Sequence, residues 1–477
     1  MRGRQPNVPE GWTHMRQIPF SDLEAMPGHI HEWRLCAPED LDPAYLGEKV
    51  ASFNQEKHFT AAVSARREHA SEDYWIAVTF HIPGHVDLPA LEVALRHFVE
   101  RHEVLRCGFE HLAGALRCDV MSPADVTLQH LDSGEMPTAD AAADHLKAIF
   151  DQEISTLSWP LFRMGVLVGA ELSMVFLAFD HIVCDGISLA IAVDQVQRAY
   201  ADTRAGRQLS AEPAGSYLDF AEAQRRRYSG ITADSPELRY WRSFVAQSGG
   251  LFPQIPLDLG VEVGRMYPAH NTTFQLLDNE DATAFEDLCV RYDGKLFLGL
   301  LAAVGIALQK VSGATSYYGF LPISERRDPR WSESFGWFVN TMPIAFPVSA
   351  DLSFPEVLHA AQASFKSLIQ SVDVPFVKAW ELLAPQYYHL RTWPFPVNFF
   401  SFIDFRKMPN FDQYDVWQPS TIPNASHTNT ANMWFYRNSS GISLNCMFPN
   451  VLKCQQVMAA YRSAVATVLL DVLREAG

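Results

Sequence analysis

The chain has 477 residues, 48% of them hydrophobic, enough to fill more than one core, because single cores stop growing well before this length. Its 38 basic residues against 55 acidic ones leave a formal charge of -17, which repels a phosphate backbone and excludes nucleic acid as an expected partner. Seven cysteines (Cys36, Cys107, Cys118, Cys184, Cys289, Cys446, Cys454) without a C-x-x-C pair predict reduced thiols, and no window reaches the roughly 18 uncharged apolar residues of a bilayer span, so the chain reads as soluble and cytoplasmic.

Roughly the first 20 residues are polar and contain Pro, and are expected to form an arm. "IAVTFHI" at 76–82 reads as a strand, followed by a helix with Asp87 as N-cap, Pro89 in the first turn and Leu91, Ala94, Leu95 and Phe98 on one face. "FRMGVLVG" and "SMVFLAFD" read as a hairpin, and "ISLAIAVDQVQRAYADT" as the helix after it. The polar stretch 203–235 marks a boundary between halves, placed at 212/213. Beyond it, "LFLGLLAAVGIALQKV" reads as a buried helix and "YYGFLPIS" as a strand, and Ser353 with Glu356 forms a capping box. "PVNFFSFID" reads as a buried strand, "MWFYRNSSGISLNCMF" as a hairpin turning at "NSSG", and the last helix runs from about Cys454 to Arg474. Strands and helices mix in each half without regular βαβ alternation, which predicts two α+β lobes rather than a doubly wound sheet.

Chemistry concentrates in "FLAFDHIVCDGISLA". His181 follows a strand, Asp185 and Gly186 come four and five residues later, and a helix starts directly after. A histidine titrates near neutrality and can take a proton from an attacking alcohol or amine. Asp185 can hold the loop or pair with a cation, Gly186 permits close backbone approach, and a helix N-terminus favours negative charge developing nearby. The same residues also fit an ordinary loop with an aspartate N-cap.

Other segments extend the pattern in order: "SFNQEKHF" with Ser52 and Gln55, "RHEVLRCGF" with Arg101 to Arg106, "WPLFRMGVL", "SYLDFAEAQR", "YWRSF", "PQIPLD" and "ERRDPRWSESFGWFVNTMPI". In this order they resemble the condensation-domain superfamily over roughly 50–470. "GWFVNTMPI", "VPFVKAWELL", "NFFSFID" and "SHTNTANMWFYRN" look most like its polyketide-associated acyltransferases. The resemblance implies an α+β fold of two chloramphenicol-acetyltransferase-like lobes, 1–212 and 213–477, forming a V around a tunnel. It implies His181 as base or positioning residue, Asp185 as a structural residue turned from substrate beside Gly186, Arg326 as its salt-bridge partner, and Asn398 and His427 near the tunnel. It also implies a thioester-dependent acyltransferase with no permanently bound cofactor and no metal. The donor would be acyl-CoA or a phosphopantetheinyl acyl carrier protein, and the acceptor a small-molecule or glycolipid hydroxyl. A free-standing amide-forming condensation enzyme and a non-catalytic recruitment domain are the competing readings.

Two positions depart from the family pattern. Asp180 stands where many members have a first histidine, and is expected to face solvent; Glu325 stands where a glycine often precedes the arginine, and the doubled Arg326 and Arg327 leave the pairing partner open by one position. Ser188 in "GISLA" is a poor nucleophile elbow, since the strand ends before it and the last glycine is Ala190. His29 and His31 read as surface residues because no second ligand pair lies nearby in sequence, Arg225 to Arg227 as a solvated helix face, and Trp337 with Phe338 as lobe-interface packing.

Overall fold

The computed structural model describes residues 14–37, 49–70, 74–112 and 114–476. The first sheet has seven strands in the order Arg16–Gln17, Ser420–Pro423, Trp75–Pro83, Leu172–Asp180, Phe162–Val168, Gly28–Cys36, Thr127–Met136. Helices Leu88–Arg101 and Gly186–Arg204 press Leu91, Leu95, Phe98, Leu189, Val193 and Val196 against one face. Helix Ala139–Glu153 covers the other with Leu146, Ile149 and Phe150. Cover on both faces is why Leu172–Asp180 carries an almost unbroken apolar run instead of an alternating one.

The second sheet also has seven strands, in the order Val339–Pro347, Ser316–Ser324, Asn398–Asp404, Ala431–Asn438, Gly441–Pro449, Tyr267–Asp278, His427–Thr428. Helices Asn279–Arg291, Leu296–Ser312, Phe354–Ile369 and Leu452–Ala476 share its core. Parallel pairing in the two sheets is confined to Arg16–Gln17 on Ser420–Pro423 and to the two neighbours of Asn398–Asp404. Antiparallel ladders make up the rest, so the expected two-lobe α+β architecture is what forms.

Local signals landed where the side chains dictate. The Asp87 carboxylate accepts from the Ala90 N–H at 3.0 Å, and Ser353 and Glu356 close their capping box. Three features differ from the sequence reading. Residues 1–13 of the expected arm lie outside the described residues, but Met15 and Ile18 are buried, and Arg16–Gln17 pairs with Ser420 and Thr421 as an edge strand. Strand Ser420–Pro423 comes from the second half of the chain yet pairs with Trp75–Pro83 in the first sheet, so one crossover stitches the lobes. Finally, helix Leu452–Glu475 is long and apolar enough, by length and composition, to cross a bilayer. It instead packs Cys454, Met458, Tyr461, Val465, Val468 and Val472, spaced three and four apart, onto the second core.

Candidate active site

Strand Leu172–Asp180 ends in a single 3-10 turn, His181–Val183, from which the helix Gly186–Arg204 starts at once. Asp180 is not solvated: it is 0% exposed, and the reading of it as a surface residue is overturned. Its carboxylate accepts from the Ile182 N–H at 2.8 Å, the Thr156 hydroxyl at 2.7 Å and His58 Nε2 at 3.1 Å. The chain turns at His181, so strand alternation no longer governs where Asp180 points; its side chain caps the turn inward. A second element grips the same turn. Helix Phe53–Arg67, opened by a Ser52–Gln55 capping box, sends Gln55 Nε2 to the Ile182 carbonyl at 3.0 Å.

Asp185 is the N-cap of the next helix and accepts from Ser188 N–H and Oγ–H, both at 2.9 Å. Its two oxygens also receive Arg326 as a fork, Nη1 at 2.7 Å and Nη2 at 3.1 Å, and the Phe338 N–H at 2.9 Å. Arg326 donates further to Ser188 Oγ and to the carbonyls of Ser334 and Gly336. Arg327 instead reaches Asp373 at the surface, 3.2 Å away. Segment 333–338 of the second half is thereby fastened to the first lobe, with the Gln195 amide on the Glu333 carbonyl as a further tie and the Tyr217 hydroxyl lying between the Trp337 carbonyl and Ser52 Oγ.

That fastening brings Trp337 over His181, ring centroids 4.3 Å apart, and both side chains remain partly exposed. His58 stands edge-on to Trp337 at 5.4 Å and 6.4 Å from the His181 ring. Burial, followed by the neighbouring His58, pushes the His181 pKa below its ordinary value, and Asp185 and Asp180 only partly oppose this. The imidazole is therefore neutral at pH 7 and able to accept a proton. Nδ1 is buried and has no hydrogen-bond partner among the described residues. A Cβ added to Gly186 would meet Ile403 Cδ1 of the second lobe at 3.4 Å, so the loop lies against the second lobe at this point.

The sequence profile described as Condensation domain matches residues 51–396. The chain belongs to the condensation-domain family. It is similar to acyltransferase PapA3 of Mycobacterium tuberculosis, 28% identical over 368 residues covering 76% of each chain. It is also similar to trehalose-2-sulfate acyltransferase PapA2 of Mycobacterium bovis, 24% identical over 466 residues covering 93% of this chain and 94% of the relative. A solved PapA2 acyl transferase overlays with a TM-score of 0.83 at 21% identity, over 96% of this chain and 99% of that one. The first condensation domain of the CDA synthetase overlays with a TM-score of 0.70 at 14% identity, over 90% and 97%. This condensation-family chain is an enzyme of the acyltransferase class.

The structure also places the other residues singled out from the sequence. Asn398 is 0% exposed and donates to the Tyr318 carbonyl at 2.7 Å inside the second sheet. It starts the strand whose other end, at Ile403, approaches Gly186, and five residues of strand put it about 16 Å further from the loop. His427 is exposed on the outer strand of that sheet. Among the described residues neither shares a hydrogen bond or ring contact with His181. Ser188 is a buried capping residue with no freedom to act as a nucleophile. Of the arginine run, Arg226 and Arg227 are solvated, but Arg225 holds the Ala51 and Ser52 carbonyls at 2.7 and 3.0 Å and covers the Phe53 ring.

Glu325, the other departure from the family pattern, is pushed up to about 8 by burial, partly opposed by Arg327, so its carboxyl is protonated at neutral pH. Lys57, one residue from His58, lies over the rings of Trp380 and Tyr388 at 4.4 and 4.7 Å and donates to the Leu390 carbonyl at 2.8 Å. It ties the first lobe's helix to the second lobe.

Gly336 has no room for a side chain: a Cβ would sit 2.5 Å from the Tyr217 ring. Gly336→Ala is expected to destabilise by about 1–3 kcal/mol through overpacking. Because Trp337 is the next residue, kcat should fall as well, readable from a chemical melt paired with a turnover assay.

Proposed function

We propose that this enzyme moves an acyl group from a thioester, carried on coenzyme A or on the phosphopantetheine of a carrier protein, to a hydroxyl of a glycolipid-type acceptor. The observation that carries the reading is a neutral, partly exposed His181 held where the two lobes meet, on a turn clamped from below by Asp180 and from the side by Asp185 with Arg326. The relatives support the acceptor class, since two of them are named for acyl transfer to trehalose-2-sulfate and to 2'-acyl-2-O-sulfo-trehalose. We place the reaction in the cytoplasm, where the seven unpaired cysteines stay reduced.

In this reading the acceptor O–H gives its proton to the His181 imidazole as its oxygen attacks the thioester carbonyl. The tetrahedral intermediate then collapses with cleavage of the C–S bond, and the imidazolium returns the proton to the leaving sulfur. The products are an ester and a free thiol, and no bond to the enzyme forms. Asp180 holds His58 at the edge of Trp337, which keeps positive charge from settling on His181 before the acceptor arrives.

The test is a matrix of acyl-CoA and acyl-carrier donors against trehalose, sulfated trehalose and simple amines, read by thiol release and product mass. Ester formation on a sugar hydroxyl is the expected result. Product with amines alone, or none with any thioester, overturns the reading.

The lowered His181 pKa fixes the sign of the pH dependence. Activity needs the neutral ring, so kcat/KM should hold as pH falls to the ordinary histidine value of 6.5 and drop only below it. His58→Gln removes the neighbouring imidazole and leaves the Asp180 carboxylate less compensated; both effects favour protonated His181. The acid limb should therefore move to higher pH in this variant, and an unmoved limb would show that His58 does not set the base's titration.

A further inference from the structure

We infer that the outer edge of the first sheet carries a site for a divalent transition metal of the zinc class, held by His29, His31 and Asp132. Asp132 lies about 100 positions from the two histidines in sequence and meets them only through the antiparallel pairing of Gly28–Cys36 with the sheet's last strand, Thr127–Met136. His29 lies opposite Glu135, His31 opposite Asp132 and Trp33 opposite His130. A β-bulge sits between the first two of these pairs: Ile30 pairs with Gly134, His31 pairs with Asp132, and Ser133 is the extra residue. Gly134 takes a φ of +86° there, and its N–H caps Asp132 Oδ1 at 3.0 Å. Without the extra residue Asp132 would project from the opposite face of the sheet; with it, the carboxylate joins the two imidazoles.

One ligand atom from each of His29, His31 and Asp132 lies within 4.8 Å of the others. Bonds of about 2.1 Å in a tetrahedral zinc site put ligand atoms about 3.4 Å apart, a closure that side-chain rotations can supply. What distinguishes this group from a chance surface cluster is the second layer. Glu135 engages His29 Nδ1 at 3.2 Å and His130 Nε2 engages His31 Nδ1 at 3.1 Å, so both rings are held through Nδ1, while His29 Nε2 already faces Asp132 Oδ1 in a short hydrogen bond whose proton an ion would displace. The pattern of a carboxylate or other polar group behind a metal-binding histidine is how such ligands are oriented. His130 is itself fixed by stacking on buried Trp33 at 5.2 Å. Two imidazoles and one carboxylate select zinc-class ions over magnesium or calcium, and water completes the coordination.

The ion would staple the edge strand to its neighbour and stand apart from catalysis. His29 pairs with Val168 at the end of strand Phe162–Val168 opposite the one that meets Phe179, which places the site about 25 Å from His181 by strand geometry.

The test uses the full chain without a polyhistidine tag, titrated with Zn²⁺ by calorimetry and melted with and without the ion. A single saturable equivalent and a raised melting temperature are expected. His29→Ala/His31→Ala should lose both while matching the metal-free wild type in circular dichroism and in acyl transfer. Glu135→Gln should weaken binding by about tenfold or more, as loss of a supporting group does, and exposed His111→Ala should change nothing. Absence of stoichiometric uptake by the wild type, or equal uptake by the double variant, overturns the site.

Discussion

His181→Ala should lower kcat by about 100- to 10,000-fold, the range that general-base removal produces, while the melting temperature stays close to that of the parent protein. The side chain's structural contribution is small. Nδ1 makes no well-formed hydrogen bond, the ring is partly exposed, and its principal neighbours are Trp337 and His58. The turn keeps its shape through backbone and second-residue contacts: His181 N–H to the Tyr74 carbonyl at 2.9 Å, Asp180 to Ile182, and Gln55 to the Ile182 carbonyl. A base acts only as the acceptor proton moves, so KM should change little. The acid limb of the pH profile should vanish in the residual rate, because the group that titrates is gone. A variant that retains full turnover, or that loses activity and melting temperature together, would remove His181 from the reaction or reduce it to a packing residue.

The parts of this protein legible in sequence were those set by local chemistry. Asp87, Ser353 and Glu356 cap helices with side chains that reach only a few residues, and the apolar runs at 162–168 and 172–180 have no other way to bury both faces. The H-x-x-x-D-G spacing placed His181 and Asp185 on either side of one turn for the same reason. Asp180 was misread because the alternation rule was carried one residue past the end of its strand. His58 was missed although a signal existed: it stands three residues after Gln55, on the same helical face, so a helix that turns Gln55 to the Ile182 carbonyl also brings His58 to Asp180. Trp337 and the His29 group depend on register between distant segments. No spacing along the chain encodes a bulge at Ser133 or the latch at 333–338. Asn398 and His427 were placed by likeness of segments alone, and the strand that carries Asn398 points its other end at the site.

Arg326→Ala should cost about 3–5 kcal/mol of stability, the penalty for stranding a buried charge, whereas Arg327→Ala should cost about 0.5 kcal/mol or less. The two arginines are neighbours in sequence and opposites in environment. The Arg326 and Asp185 side chains are 4% and 2% exposed, while those of Arg327 and Asp373 are 44% and 51% exposed, where water screens the pair. Loss of the Arg326 fork leaves Asp185 with N–H partners from Ser188 and Phe338 but no opposing charge. Arg326→Lys should rescue little, since a single ammonium cannot span both carboxylate oxygens, Ser188 Oγ and the carbonyls of Ser334 and Gly336. Asp185→Ala strands the guanidinium instead and removes the helix cap as well. Joining the two changes removes both buried charges, so the double variant should be less destabilised than the sum of the single ones. Denaturant melts of the four proteins measure that coupling, and equal losses for Arg326→Ala and Arg327→Ala would show that the buried fork does not hold the lobes together. Turnover supplies the second readout: the same contacts fasten 333–338 and so place Trp337 over His181. A folded Arg326 variant should therefore show a kcat deficit, which a purely global loss of stability does not produce below the melting transition.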